Sequence, residues 1–176
     1  PRLGEMCMQT KVENASTGTA GFNTRCFALM GDPAMRLAFP KERILISSIP
    51  DTIQALDKVK VRGVIVDRDS NVLEDFNGLV FPTLYDKEAT IQGQNNDGQG
   101  VFFYKERRNI LFRGKASVTN GEFEFEFVVP KDINKAFGEG KLSLYAHDGT
   151  RDASGAEFGF VIGGLSDNPV LDEEGP

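Results

Sequence analysis

Residues 115–129 read KASVTNGEFEFEFVV, and this stretch constrains the fold more than any other. Asn120-Gly121 is the favoured pair for a two-residue type I′ turn, because both positions need positive φ. Such a turn sets Thr119 opposite Glu122 and Val118 opposite Phe123. Continued along the strands, it puts Ala116 opposite Phe125, Lys115 opposite Glu126 and Gly114 opposite Phe127. Phe123, Phe125 and Phe127 then share an apolar face with Val118, Ala116, Gly114 and Phe112. Glu122, Glu124 and Glu126 share the other face with Ser117 and Lys115. A slip of one residue would mix the two faces, so turn chemistry and alternation agree on one register. The phenylalanines read as core and the glutamates as a solvated face.

Short apolar or alternating runs fill the chain from residue 41 onward: RILISSI, DKVKVRGVIVD, NGLVFPTLYD, ATIQG, GVFFY, NILFRGKASV, KLSLYAHD and AEFGFVIGG. Turn signals separate most of them and no long helix intervenes. This spacing predicts an immunoglobulin-like antiparallel β-sandwich over residues 41–165. Pro130 breaks the last phenylalanine strand, and VPKDINKAFGEG is expected to make a short turn of helix. Residues 166–176 are polar, acidic and proline-bearing, and read as a linker.

Before Pro40 the pattern differs. LGEMCMQTKVE, residues 3–13, has helical spacing with no breaker before Asn14. NASTGTAGFN is a loop by composition. RCFALM, residues 25–30, reads as a strand buried on both faces, as in a parallel sheet. Helix, loop and buried strand predict a small α/β unit ahead of the sandwich. GDPAMRLAFP follows as a stiff corner. Gly31 ends the strand, Asp32 is expected to cap a turn of helix, Pro33 suits its first position, and Pro40 stops it. The fold class predicted is therefore mainly β, with a helix and a strand in front.

Function classes narrow on charge and on what the motifs lack. A net charge of −6 argues against nucleic acid as a partner. No stretch approaches the ~20 apolar residues of a membrane-spanning helix. The chain opens on proline rather than methionine and reads as a piece of a longer protein, so the lack of a signal sequence carries no information about location. Fourteen Phe, three Tyr and no Trp favour core over a stacking platform. Cys7 and Cys26 are too few for a disulfide framework, and whether they bridge is left open. His147, the single histidine, stands far along the chain from both cysteines, so a Cys–His dyad is not expected. Asp67, Asp69 and Asn71 begin with the spacing of a calcium loop, but Val72 stands where the loop needs glycine and Gly78 where it needs glutamate. A turn accounts for the same residues. QNNDGQG and HDGTRDASG are turn chemistry first. No catalytic, cofactor or metal residue is assigned.

NTRCFALMGDPAMRLAFP resembles the C-terminal edge of the caspase-like catalytic domain in the gingipain family of cysteine peptidases. The resemblance is strongest to that family's type IX secretion sortases (signal peptidases), in which a similar Gly-Asp-Pro run closes the domain. KVKVRGVIVD, NGLVFPTLYDK, GEFEFEFVVPKDI, GKLSLYAHD and GFVIGG resemble the immunoglobulin-like domain that follows. The resemblance covers essentially the whole chain. It implies that residues 1–40 are the end of a caspase-like domain and that Gly31, Asp32, Pro33, Arg36 and Pro40 form an interdomain corner. It implies a non-catalytic segment that buttresses a peptidase and links it to later domains. The location implied is extracytoplasmic, at the outer membrane or surface of a Gram-negative bacterium. The partners implied are the upstream peptidase domain, downstream domains and secretion-system proteins. The family's His-Gly and nucleophile-cysteine segments have no match in this sequence, so neither Cys7 nor Cys26 takes the nucleophile's role. The alternative is a surface sandwich that binds a protein or glycan, which would need an exposed aromatic platform. An unpaired apolar strand at residues 25–30 would also favour self-association through residues 1–40.

Overall fold

The structure is a computed structural model that describes residues 1–18, 21, 24, 26–96, 98 and 100–170. The chain divides into two compact units, Pro1–Phe39 and Pro40–Pro176.

The second unit is built almost entirely of strands: β1 (Glu42–Ser48), β2 (Thr52–Ala55), β3 (Lys58–Val66), β4 (Gly78–Tyr85), β5 (Ala89–Gln92), β6 (Phe103–Glu106), β7 (Ile110–Arg113), β8 (Ala116–Thr119), β9 (Glu122–Val128), β10 (Gly138–Glu139), β11 (Lys141–His147), β12 (Asp152–Glu157) and β13 (Val161–Leu165). The largest sheet runs β11-β12-β1-β3-β9-β8-β4-β7, and β4 also pairs with β11 along its whole length. That pairing joins the two ends. Seven strands close into a barrel-like ring, with β7 continuing past β8 on the edge of β4. A sandwich of two open sheets was expected; a closed sheet is found. Alternation alone cannot separate the two, because both bury every second residue. Closure depends on β4 meeting β11. At one end of that seam Gly78 has no Cβ, and any Cβ there would run into the backbone carbonyl of His147.

Alternating positions fill the interior. β3 contributes Val59, Val61 and Ile65; β9 contributes Phe123, Phe125 and Phe127; β11 contributes Leu142, Leu144 and Ala146. The three-stranded sheet β10-β13-β2 adds Ile53, Ala55 and Ile162 to the same core. β12, DASGAE, carries too few large apolar residues to signal a strand, and the sequence reading passed over it, as it did β2 and β10.

Asn120 and Gly121 both have positive φ, 52° and 76°, and Thr119 and Val118 stand opposite Glu122 and Phe123. The predicted register stops there. β8 pairs with β9 at Val118 and Thr119 alone, while its other edge pairs with β4 from Ala116 to Val118; β9 pairs with β3 along its opposite edge, from Lys58↔Val128 to Val64↔Glu122. Gly114 therefore does not face Phe127, and Lys115 does not face Glu126. The glutamates meet cations of β3: Lys58 with Glu126 at 2.7 Å, Lys60 with Glu124 at 2.6 Å, and Arg62 with Glu124 at 2.6 Å. The apolar face survives through packing rather than register. The Phe112 ring stacks on Phe127 at 4.4 Å and on Phe125 at 5.9 Å. The break between β7 and β8 falls opposite Pro82, whose carbonyl accepts from the Gly114 N–H at 3.1 Å. A strand residue points its N–H and C=O to the same side, so the ladder is interrupted where Pro82 has no donor to offer.

After Pro130 the chain makes turns rather than the expected turn of helix, with Ile133 buried among them. Ser166 and Val170 donate backbone N–H groups to Ala55 and Leu56, at 3.0 Å each. Residues 171–176, the rest of the segment read as a linker, lie outside the described residues.

The first unit holds one helix among its described elements, α1 (Leu3–Ser16). Part of the loop expected over residues 14–23 is the last turn of α1, and Thr19, Ala20, Phe22 and Asn23 lie outside the described residues. RCFALM is not a strand. Arg25 is outside the described residues, Cys26 is helical, and Phe27–Met30 run without regular structure. Phe27 is 72% exposed and Met30 93%. A continuous apolar run looks the same whether its burial comes from its own chain or from elsewhere. Among the described residues of this unit, none buries Phe27–Met30.

Candidate functional surfaces

The residues of the predicted corner hold the start of α1. A helix leaves its first N–H groups without partners. Here Leu3 N–H donates to the Met35 carbonyl at 2.9 Å and Gly4 N–H to the Pro33 carbonyl at 3.0 Å. Arg2 N–H donates to the Glu5 carboxylate at 2.8 Å, and Arg2 forms a short antiparallel bridge with Arg36. Asp32 accepts the Ala34 N–H at 2.8 Å, and its own carbonyl accepts Met35 N–H at 3.2 Å. That is a side-chain-capped turn, not the first turn of a helix as expected. Gly31 has a φ of 142°, and Pro40 opens the second unit. The apolar side chains of the segment face outward: Phe39 is 70% exposed, and Met35 and Leu37 are exposed too.

The Asn120-Gly121 turn is docked rather than free. Asn120 N–H donates to Asn77 Oδ1 at 3.0 Å, Gly121 N–H to the Phe76 carbonyl at 2.9 Å, and Ile65 N–H to the Gly121 carbonyl at 2.7 Å. Beside it, Arg151 lies over the Phe76 ring and bridges Asp75, at 3.1 Å, to Asp148, at 2.8 Å. Asp148 also accepts the N–H groups of Arg151 and Thr150, and these bonds, that from Arg151 first, hold its carboxyl well below the usual carboxylate range. HDGTRDASG is thus a fastening of the barrel's end.

Asp67, Asp69 and Asn71 form a turn of the same kind. Asp67 accepts N–H groups from Asp69 and Asn71 at 2.8 and 2.9 Å and the Asn71 amide at 3.1 Å. The Asn71 backbone bond, first among these, lowers its pKa. Arg43 donates to Ser70 Oγ in the same turn at 2.7 Å. Three N–H donors aimed at the carboxylate and a guanidinium alongside are the opposite of what a cation needs.

Cys7 is half-buried on α1 and Cys26 is exposed; both are free thiols. His147 ends β11, its ring stacked on Phe81 at 5.5 Å and near Tyr145 at 6.2 Å on the barrel's outer face. No group of three or more His, Cys, Asp or Glu side chains that could hold a metal occurs among the described residues.

One surface escaped the sequence reading. β5 and β6 pair as a separate hairpin, Ala89↔Glu106 to Gln92↔Phe103. Phe102 is 63% exposed, Phe103 67% and Tyr104 40%. The Phe102 and Tyr104 rings lie 5.8 Å apart with their planes 30° from parallel. They border a concavity of about 900 Å3 that continues over Gln92, Gln94, Asn96 and Arg108. The signal was present in VFFY, four consecutive large apolar residues, since a strand with one buried face needs only alternate ones.

The chain is similar to PorU. The crystal structure of dimeric latent PorU from Porphyromonas gingivalis superposes with a TM-score of 0.66 and 26% identity, over 94% of this chain. This chain spans 17% of that one. Partial overlap extends to the sporulation control protein Spo0M of Bacillus subtilis, with a TM-score of 0.40, 12% identity, and 73% and 51% of the two chains covered. The superoxide reductase (neelaredoxin) of Ignicoccus hospitalis scores 0.34 at 11% identity, covering 69% and 82%. No family model and no curated protein sequence matches the chain.

Proposed function

We propose that this chain is a non-catalytic segment of a gingipain-like cysteine endopeptidase of the type IX secretion sortase kind. In this reading residues 1–40 end the caspase-like peptidase domain, and the barrel buttresses that domain and connects it to later ones. Gly31, Asp32, Pro33, Arg36 and Pro40 join the two. The observation that carries the reading is the similarity to PorU, which runs through both units at a TM-score of 0.66. The exposed apolar side chains of the first unit support it: Phe27, Met30, Met35, Leu37 and Phe39 would be covered by the rest of the peptidase domain. Self-association through residues 1–40 loses the reason first given for it, since residues 27–30 offer no strand edge to pair. The parent acts at the outer membrane or cell surface, beside the secretion machinery.

The test is the coding sequence upstream. A reading frame that continues for roughly the length of one domain, ~200 residues, with a His-Gly pair and a strand-end cysteine, is the expected result. An unrelated upstream domain would overturn the proposal. So would peptide hydrolysis by this chain alone that is lost on replacing Cys7 or Cys26.

A further inference from the structure

The barrel's wall is open along part of β9. A strand residue turns its N–H and C=O to one side, and successive residues alternate. Ile65 N–H donates to the Gly121 carbonyl at 2.7 Å and Val129 N–H to the Asp57 carbonyl at 2.9 Å, so the odd-numbered residues of this stretch face β3. Glu124, Glu126 and Val128 therefore turn their main-chain groups to the other edge. There β8 pairs with β9 no further than Phe123, and past that point the edge pairs with no strand among the described residues. We propose that this edge, from Glu124 to Val128, takes up an extended segment of another polypeptide in which apolar and basic residues alternate.

Space and apolar surface support the addition of a strand. β7 does not pair with β9, although its Phe112 ring reaches that of Phe127 at 4.4 Å. Ile110 on β7 and Val128 on β9 are 42% and 44% exposed. Where β7 begins and β9 has ended lies a hollow of about 400 Å3, with Ile110 and Leu111 on one side and Pro130, Asp132 and Asn134 on the other. Main-chain donors and acceptors along an open edge are a template for another strand, and side chains at alternate positions then set which strand fits.

The chain already holds a strand of the pattern that fits. Residues 58–64 of β3, KVKVRGV, lie along the opposite edge of β9, with Lys60 opposite Glu126, Arg62 opposite Glu124, and Val59 and Val61 buried opposite Phe127 and Phe125. Both edges of β9 flank the same glutamates and phenylalanines, so the open edge suits the same alternation. Around the hollow, Asp86 is paired with Lys87 and Arg108 with Glu106, which leaves Asp132 without an ion partner among the described residues. Arg113, the one cation of β7, stands at the far end of that strand. A second copy of this chain is a poor occupant. Its β9 would set glutamates against glutamates, and its β3 is already paired on both edges. The proposal stands independently of the peptidase reading.

Amide chemical shifts of the whole chain can be followed during titration with the acetylated and amidated peptide KVKVRGV. The comparison peptides are EVEVEGV and a KVKVRGV N-methylated at its lysines and arginine, which lacks the N–H groups that would meet Glu126 and Val128. KVKVRGV is expected to give saturable shifts at Glu124–Val128 and Ile110–Arg113, with intermolecular NOEs to the Glu126 and Val128 amides and with the NOEs between β3 and β9 retained. Both comparison peptides should bind at least tenfold more weakly, and Asp132→Asn should weaken KVKVRGV binding by a smaller factor with an unchanged thermal melt. No saturable shift at millimolar KVKVRGV would overturn the proposal. So would equal binding of either comparison peptide, or loss of the β3–β9 NOEs, which would mean that the peptide replaces β3. Concentration-dependent shifts at Glu126 and Val128 without peptide would assign the edge to a second copy and overturn it too.

Discussion

The two units of this chain use apolar residues in opposite ways. In the barrel, every second residue of β3, β9 and β11 is buried by other strands of the same unit. In residues 1–39, a helix of fourteen residues has no fully buried side chain, and Phe27, Met30, Met35 and Phe39 after it lie open. The barrel's conformation follows from its own sequence. Among the described residues, the first unit's backbone is held by bonds from α1 to Phe27 and to residues 33–35, and its large apolar side chains are exposed. Apolar content is therefore a poor guide to which part of a chain folds by itself; what matters is whether its pattern closes on itself.

The largest effect that tests this contrast is a matched pair of truncations. Phe125 lies between the rings of Phe112, Phe123 and Phe127, and Phe125→Ala should lower the stability of the chain by about 3–5 kcal/mol. Phe27→Ala should leave thermal and urea melts unchanged, because the ring is already in solvent. Equal losses would remove the distinction between the units.

Next comes the docked turn. A Cβ at Gly121 would stand 2.5 Å from the Leu73 carbonyl, at a φ of 76°. Gly121→Val should cost about 2–4 kcal/mol from backbone strain and overlap together, read from denaturant melts. Gly31→Val, at a φ of 142° with open space around it, should cost less and leave the barrel's own unfolding transition in place.

Acid gives a smaller, graded effect. The Asp67, Asp148, Glu124 and Glu126 pKa values are lowered in the folded barrel, by N–H donors at the aspartates and by β3 cations at the glutamates. Their contribution is complete above the unfolded carboxylate range and is lost as pH falls through it toward the folded values. Melting temperature should be flat from neutral pH to about pH 5 and then fall. Asp148→Asn should lower it at neutral pH and make the acid slope shallower. An unchanged slope would mean that the fastening at Arg151 contributes nothing.

The smallest expected change is Glu124→Gln. Its partners Lys60 and Arg62 are as exposed as it is, and such pairs are worth little. A melt that ranked this substitution above Gly121→Val would show the charged ladder, not the turn and core, to be what fixes β9.

The hairpin was legible because two independent signals coincided: a turn that requires positive φ at Asn120 and Gly121, and a period of two on either side. Each alone would have left the register open. Closure of the sheet was not legible, since β4 and β11 are far apart in sequence and each looks the same in a barrel and a sandwich. The cation partners of the glutamates were missed for the same reason; β3 is distant in sequence and the local turn suggested Lys115. RCFALM failed for a different one. Its apolar run is real, but Phe27–Met30 are exposed among the described residues of 1–39. The Phe102–Tyr104 platform was hidden by counting phenylalanine as core wherever it occurred.

Native-state amide hydrogen exchange on the intact chain tests the contrast most directly. The account predicts that β3, β4, β9 and β11 exchange together at the slow rate of global unfolding. The α1 amides should exchange at least roughly a hundredfold faster, through local opening that leaves the barrel folded. Protection of α1 equal to that of β9 would show that residues 1–39 fold cooperatively with the barrel and would contradict the account.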